Sequence, residues 1–110
     1  MRAGDYLFVT GQLGVDPETN ELVSDDVAEQ AEQVMRNLET VLLEAGTSID
    51  RAVMGRIFLV DFEADYATVN GIYASRFEEG RYPARTTVGV THLALGAAVE
   101  IDLIVRPSQP

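Results

Sequence analysis

Residues 51–60 read RAVMGRIFLV, and this stretch constrains the fold more than any other. Side chains of a strand alternate between its two faces. Val53, Gly55, Ile57 and Leu59 share one face, and Met54, Arg56, Phe58 and Val60 share the other. Both sets are largely apolar, the pattern of a strand in the middle of a sheet that is covered on both sides.

Two helices are available as cover. Ser24 is placed as an N-cap, with Asp25 and Asp26 in the first turn, where negative charge suits the helix dipole. Val27, Ala31, Val34, Met35, Leu38, Val41, Leu42 and Ala45 then recur at steps of three and four, a single apolar stripe, and Gly46 stops the helix. Asp61 caps a second helix carrying Tyr66, Val69, Tyr73 and Phe77 on one side and ending at Gly80. Gly71 inside it costs about 1 kcal/mol against Ala, which predicts a close neighbour at that point.

Three further strands complete the pattern. Residues 5–10, DYLFVT, form the first, followed by a loop over 11–24 rich in turn residues. Residues 84–91 form another, opened by Tyr82-Pro83. After a turn at Leu95-Gly96, residues 97–105 form the last, with Val99, Ile101, Leu103 and Val105 on one face and Ala98, Glu100, Asp102 and Ile104 on the other. The polar tail 106–110 is expected to fray.

The order is strand, helix, strand, helix, strand, strand. One stripe per helix places both helices on one face of a four-stranded sheet, an α+β architecture. No third layer remains for the opposite face, which carries Met54, Phe58, Val60, Val88 or its neighbours, and Ile104. Left in water, that patch would exceed the few hundred Å² usual on a monomer. The chain is therefore expected to self-associate, with sheets meeting to form a second core.

Composition removes whole chemistries. A chain of 110 residues fits one domain. It has no Cys, hence no disulfide, thiolate nucleophile or cysteine zinc site, and no Lys, hence no Schiff base and no P-loop. One His cannot build a His-rich metal centre. No metal or cofactor is expected. A net charge of -10 repels phosphate backbones, so nucleic acid is not an expected partner. Neither a membrane-spanning run nor a signal-peptide pattern is present, and a cytoplasmic protein is the default reading.

Few side chains are left to carry chemistry. Arg85 offers a planar fork that matches a carboxylate, and if Arg85 and Thr87 point to the oligomer face the fork sits in an interface cleft. An ion pair with one of the 18 acidic residues is the plainer reading. Glu100 lies between Val99 and Ile101; it is either a carboxylate in a partly dry cleft, able to activate water, or part of an exposed strand face shared with Asp102. Gly11 and Gln12 end the first strand, where backbone N–H groups meet a ligand oxygen or simply turn the chain. Asn70 reads as a packing or helix–loop hydrogen bond, His92 as a surface residue, and Glu29, Glu32, Glu39 and Glu44 as a solvated helix face.

Thr10-Gly11-Gln12, Ala67-Thr68-Val69-Asn70 and Pro83-Ala84-Arg85-Thr86-Thr87, followed by the Gly96 turn and Val99-Glu100-Ile101, stand in the order and spacing of one family. Over residues 2–107 the chain resembles the Rid family of reactive-intermediate deaminases, formerly called YjgF. The resemblance implies a chorismate-mutase-like fold, two helices on one face of a mixed sheet, and a homotrimer whose sheets pack into a central barrel with clefts between subunits. It implies hydrolysis of 2-imino acids and their enamine tautomers to 2-oxo acids and ammonia, without a cofactor. By matched position, Arg85 would bind the substrate carboxylate and Glu100 would orient or activate water. Thr87, where many members have Cys, would line the cleft. Gly11 would offer backbone contacts, and Tyr82 and Asn70 would shape the pocket. A non-catalytic carboxylate-binding or regulatory member is the alternative. Family members carry further N-terminal residues that form an edge strand and bring a Tyr to the pocket. Either the present chain lacks that strand, leaving a barer sheet edge and a more open pocket, or its start is placed too late.

Overall fold

A computed structural model describes residues 1–107; residues 108–110, the end of the expected frayed tail, lie outside the described residues. The elements run β1 (Arg2–Ala3), β2 (Tyr6–Leu13), α1 (Val27–Glu44), β3 (Ala52–Leu59), α2 (Phe62–Ala74), β4 (Ala84–Gly89) and β5 (Val99–Val105). They form one mixed five-stranded sheet in the order β1-β2-β5-β3-β4, in which only β3 and β4 are parallel. The fifth strand, absent from the sequence reading, is the two-residue β1, antiparallel to the start of β2. Both helices pack on one face, as expected.

The core between helices and sheet holds Ala31, Val34, Met35, Leu38 and Leu42 of α1, Val69 and Tyr73 of α2, and alternate residues of the strands. The alternation in β3 and β5 is as read: Ile57, Leu59, Val99, Ile101, Leu103 and Val105 are buried under the helices. Val53 departs from it. The β3–β5 register shifts between Ala52 and Met54, and this bulge leaves Val53 41% exposed. A second bulge between Val9 and Gln12 carries β2 on to Leu13, into the segment expected to be loop.

Helix boundaries differ in detail. Asp26, not Ser24, is the N-cap of α1: its Oδ2 accepts from the Glu29 N–H at 3.0 Å, while the Ser24 hydroxyl accepts from the Asp26 N–H and shapes the approach. Val41 and Ala45 lie at the exposed rim of the stripe. At its other end Gly46 takes a left-handed φ of 82° and Thr47 N–H bonds back to Leu42 C=O, as the stop signal requires. Asp61 caps α2 as read, but the helix ends at Ala74. Phe77 reaches the core from the following turn and packs on Tyr73 with ring centroids 5.0 Å apart. Gly71 has open space where its Cβ would lie, so no close neighbour explains it.

Polar ties fix the helices to the sheet. The buried Gln30 side chain donates to Ser24 C=O at 2.9 Å and accepts from Ala98 N–H at 2.8 Å. Asn37 donates to the carbonyls of Leu13 and Val15. Glu32 and Glu39, read as a solvated face, instead hold Arg76 at 2.8 and 3.5 Å and so join α1 to the end of α2.

The second face of the sheet is uncovered. Tyr6, Phe8, Val60 and Val88 are each between 38 and 43% exposed, and Met54, Phe58 and Ile104 are half-buried beside them. An Arg56–Asp102 pair, bidentate at 2.7–3.1 Å, crosses the middle of this face.

Candidate active site

β4 is an edge strand, parallel to β3, with Arg85 opposite Gly55 and Thr87 opposite Ile57. Gly55 and Ile57 face the helices, and so do Arg85 and Thr87. The condition that these two point to the open sheet face is therefore not met. The parallel register fixes their parity, and α2 is the element they meet.

There the guanidinium is held by one face of α2. Tyr66, Asn70 and Tyr73 stand at steps of four and three, which puts them on one side of a helix. Arg85 Nη1 donates to Asn70 Oδ1, and Nη2 donates to the Tyr66 hydroxyl at 3.1 Å. The Arg85 Cζ lies 5.9 Å from the Tyr66 ring centroid and 5.6 Å from that of Tyr73. Its recorded hydrogen-bond partners are thus neutral, and none of the ion pairs among the described residues includes it. The plainer reading of Arg85, a surface ion pair, does not describe it.

Beside the guanidinium lies an open hollow of about 450 Å³ lined by Asn70, Tyr73, Ala74, Tyr82, Pro83 and Arg85. Tyr82 is 52% exposed at its rim. Tyr73 closes the inner wall; its hydroxyl is pressed against Gly55, is buried, and has no hydrogen-bond partner. Burial pushes its pKa up to about 12, opposed by the nearby Arg85 charge. The Thr87 hydroxyl, next along the strand, is also buried without a partner. Tyr66 and Tyr73 were read from sequence only as core residues. The signal that marks them is the 66/70/73 spacing, which aligns two phenols with Asn70.

Glu100 lies elsewhere. It pairs with Phe58 on β3 and Leu13 on β2, and its parity with Asp102 and Ile104 places it on the open face. Gly11, at the β2 bulge, lies against it so closely that a Cβ there would overlap the Glu100 carboxylate. Within one protomer the predicted residues form two groups: Arg85, Asn70, Tyr82 and Thr87 on the helix side of β4, and Gly11 with Glu100 on the opposite side of the sheet. His92 is exposed, in neither group.

A family profile described as Endoribonuclease L-PSP matches residues 1–106. The chain belongs to the Rid family. Reactive Intermediate Deaminase A of Arabidopsis thaliana chloroplasts is 40% identical over 104 residues, which span 94% of this chain and 54% of that protein. Among solved structures, a Rid-family protein of unknown function from Yersinia pestis, YyfA, superposes with a TM-score of 0.91 at 39% identity, covering 96% of this chain and 82% of that one. TdcF of E. coli, solved with bound serine, gives a TM-score of 0.88 at 32% identity, covering 98% of this chain and 85% of that one. The Rid fold thus accounts for the two-helix, mixed-sheet architecture seen here.

Proposed function

We propose that the protein is a deaminase that hydrolyses 2-imino acids, such as 2-iminobutyrate and the imine tautomer of 2-aminoacrylate, to 2-oxo acids and ammonia. The observation that carries this reading is a guanidinium bordering an open hollow with neutral partners only. It is pre-oriented and not neutralised, so it retains its charge for a ligand carboxylate. A carboxylate bound there gains roughly 1.5–3 kcal/mol from a charge-assisted contact and is oriented for reaction.

Glu100 supplies the complementary half. Because it lies across the sheet from Arg85, a complete site needs a second protomer, and the uncovered apolar face is where one would dock. We place the reaction in clefts of a homotrimer, Arg85 of one protomer facing Gly11 and Glu100 of the next. Water adds to the imine carbon as Glu100 takes its proton, forming the C–O bond and moving the C=N electron pair to nitrogen. Glu100 passes that proton to the nitrogen, the carbinol O–H proton follows it, and the C–N bond breaks as the C=O forms, so that ammonia leaves and Glu100 is again a carboxylate. One water is consumed and one ammonia released. The imine is already electrophilic, so a chain without Cys or Lys is no obstacle; proton transfer by Glu100 contributes about 10²–10⁴-fold. The relative named a reactive intermediate deaminase supports this chemistry, and the serine bound to TdcF is a small amino acid with the same carboxylate.

The test is to generate 2-aminoacrylate in situ with a serine dehydratase and follow pyruvate release. The protein is expected to accelerate release over the spontaneous rate, and Arg85→Ala to abolish the acceleration. No acceleration, with 2-oxobutyrate still bound, would instead make the protein a carboxylate-binding member. The family profile's description names an endoribonuclease, so RNA belongs in the same assay; a net charge of -10 leads us to expect no cleavage.

A further inference from the structure

We propose that Tyr66 is a positioning residue for Arg85, setting which N–H groups of the guanidinium face the ligand; this rests on the carboxylate-binding role given to Arg85 above. A guanidinium carries five N–H donors in a fixed fork. Asn70 takes one through Nη1 and Tyr66 takes one through Nη2, which leaves three for a ligand and fixes the plane in which they lie. The Tyr66 ring, with its centroid 5.9 Å from the Arg85 Cζ, adds a cation–π contact to that hydrogen bond.

Tyr66 can do this because it is itself held. Its ring packs on Phe62 with centroids 5.2 Å apart. Phe62 in turn sits over Gly89 of β4, where an added Cβ would come within 3.3 Å of the Phe62 Cβ. Gly89, Phe62, Tyr66 and Arg85 thus form one contiguous stack from the end of β4 along α2 and back to its start. Arg85 is exposed, and a long side chain there would otherwise sample many rotamers, each fixed at a cost when ligand binds. The hydroxyl of Tyr66 removes part of that cost beforehand. Phenylalanine at this position would keep the ring and lose the arm.

The experiment compares the wild-type protein with Tyr66→Phe. Phenylglyoxal, an arginine-selective reagent, is applied for short times and modification is mapped by mass spectrometry, the other arginines serving as internal controls. Arg85 is expected to react several-fold faster in Tyr66→Phe, with the other arginines unchanged and the melting temperature retained. The dissociation constant for 2-oxobutyrate and KM for in-situ 2-iminobutyrate are expected to rise about 3–10-fold with kcat within about twofold, because the carboxylate contact is made in ground and transition states alike. Unchanged Arg85 reactivity, or a fall in kcat with KM unchanged, would overturn the proposal. Faster Arg85 labelling in a protein that binds no 2-oxobutyrate would support the role of Tyr66 and overturn the deaminase reading instead.

Discussion

A methyl group at Gly11 would fall on the carboxylate of Glu100. What must yield is the end of a flexible side chain, so Gly11→Ala is expected to cost less than about 1 kcal/mol in denaturant unfolding. It would displace the group assigned to water, and a shift of that size is expected to lower kcat by about 10²-fold; kcat near wild type would separate Glu100 from the chemistry. Tyr73 presents the opposite case, a buried hydroxyl without a partner. Replacing it with Phe removes an unsatisfied polar group, and Tyr73→Phe is expected to be neutral or to stabilise by about 1 kcal/mol. The pH dependence has a definite sign. Burial raises the folded-state pKa to about 12 from its ordinary value of 10.0, so the folded protein holds its phenolic proton where the unfolded chain has lost it. The stability from the neutral phenol is complete below pH 10 and is lost as pH rises toward 12. Urea melts across that window should show a smaller decline in Tyr73→Phe than in wild type; equal declines would count against a buried, neutral phenol.

At the scale of elements, the two helices and the inward faces of β3 and β5 were legible because their apolar periods are long and regular. Bulges are not legible in this way. They arise from pairing with another strand, and both the exposure of Val53 and the extension of β2 to Leu13 follow from register shifts that no local pattern encodes. The same holds for Arg85: the sequence marked the residue, but its orientation depends on β4 lying parallel to β3, a topological fact. Gln30 went unread because a polar residue in the apolar stripe of a helix looks like a break in the stripe. In the fold it is the clamp between the α1 approach and the start of β5. Gln30→Ala leaves Ala98 N–H and Ser24 C=O without their partner, and a loss of about 2 kcal/mol or more is expected from the shift of the urea midpoint. A loss under about 0.5 kcal/mol would show that water replaces the amide without penalty.

The whole molecule leaves one apolar sheet face without cover, and it separates two groups of site residues by the thickness of that sheet. The proposed homotrimer resolves both facts together: a second protomer docked on the open face would bring its own Arg85 toward Glu100. The sequence made the uncovered face visible through residues 51–60 but could not show that the site divides across it. Subunit complementation tests this most directly. Arg85→Ala and Glu100→Gln proteins, each nearly inactive alone, are mixed, unfolded and refolded together, with mixed assemblies verified by native mass spectrometry. If each site takes its arginine and its glutamate from different protomers, random assortment restores roughly a quarter of wild-type activity. Mixed assemblies that remain as inactive as their parents would contradict the shared site.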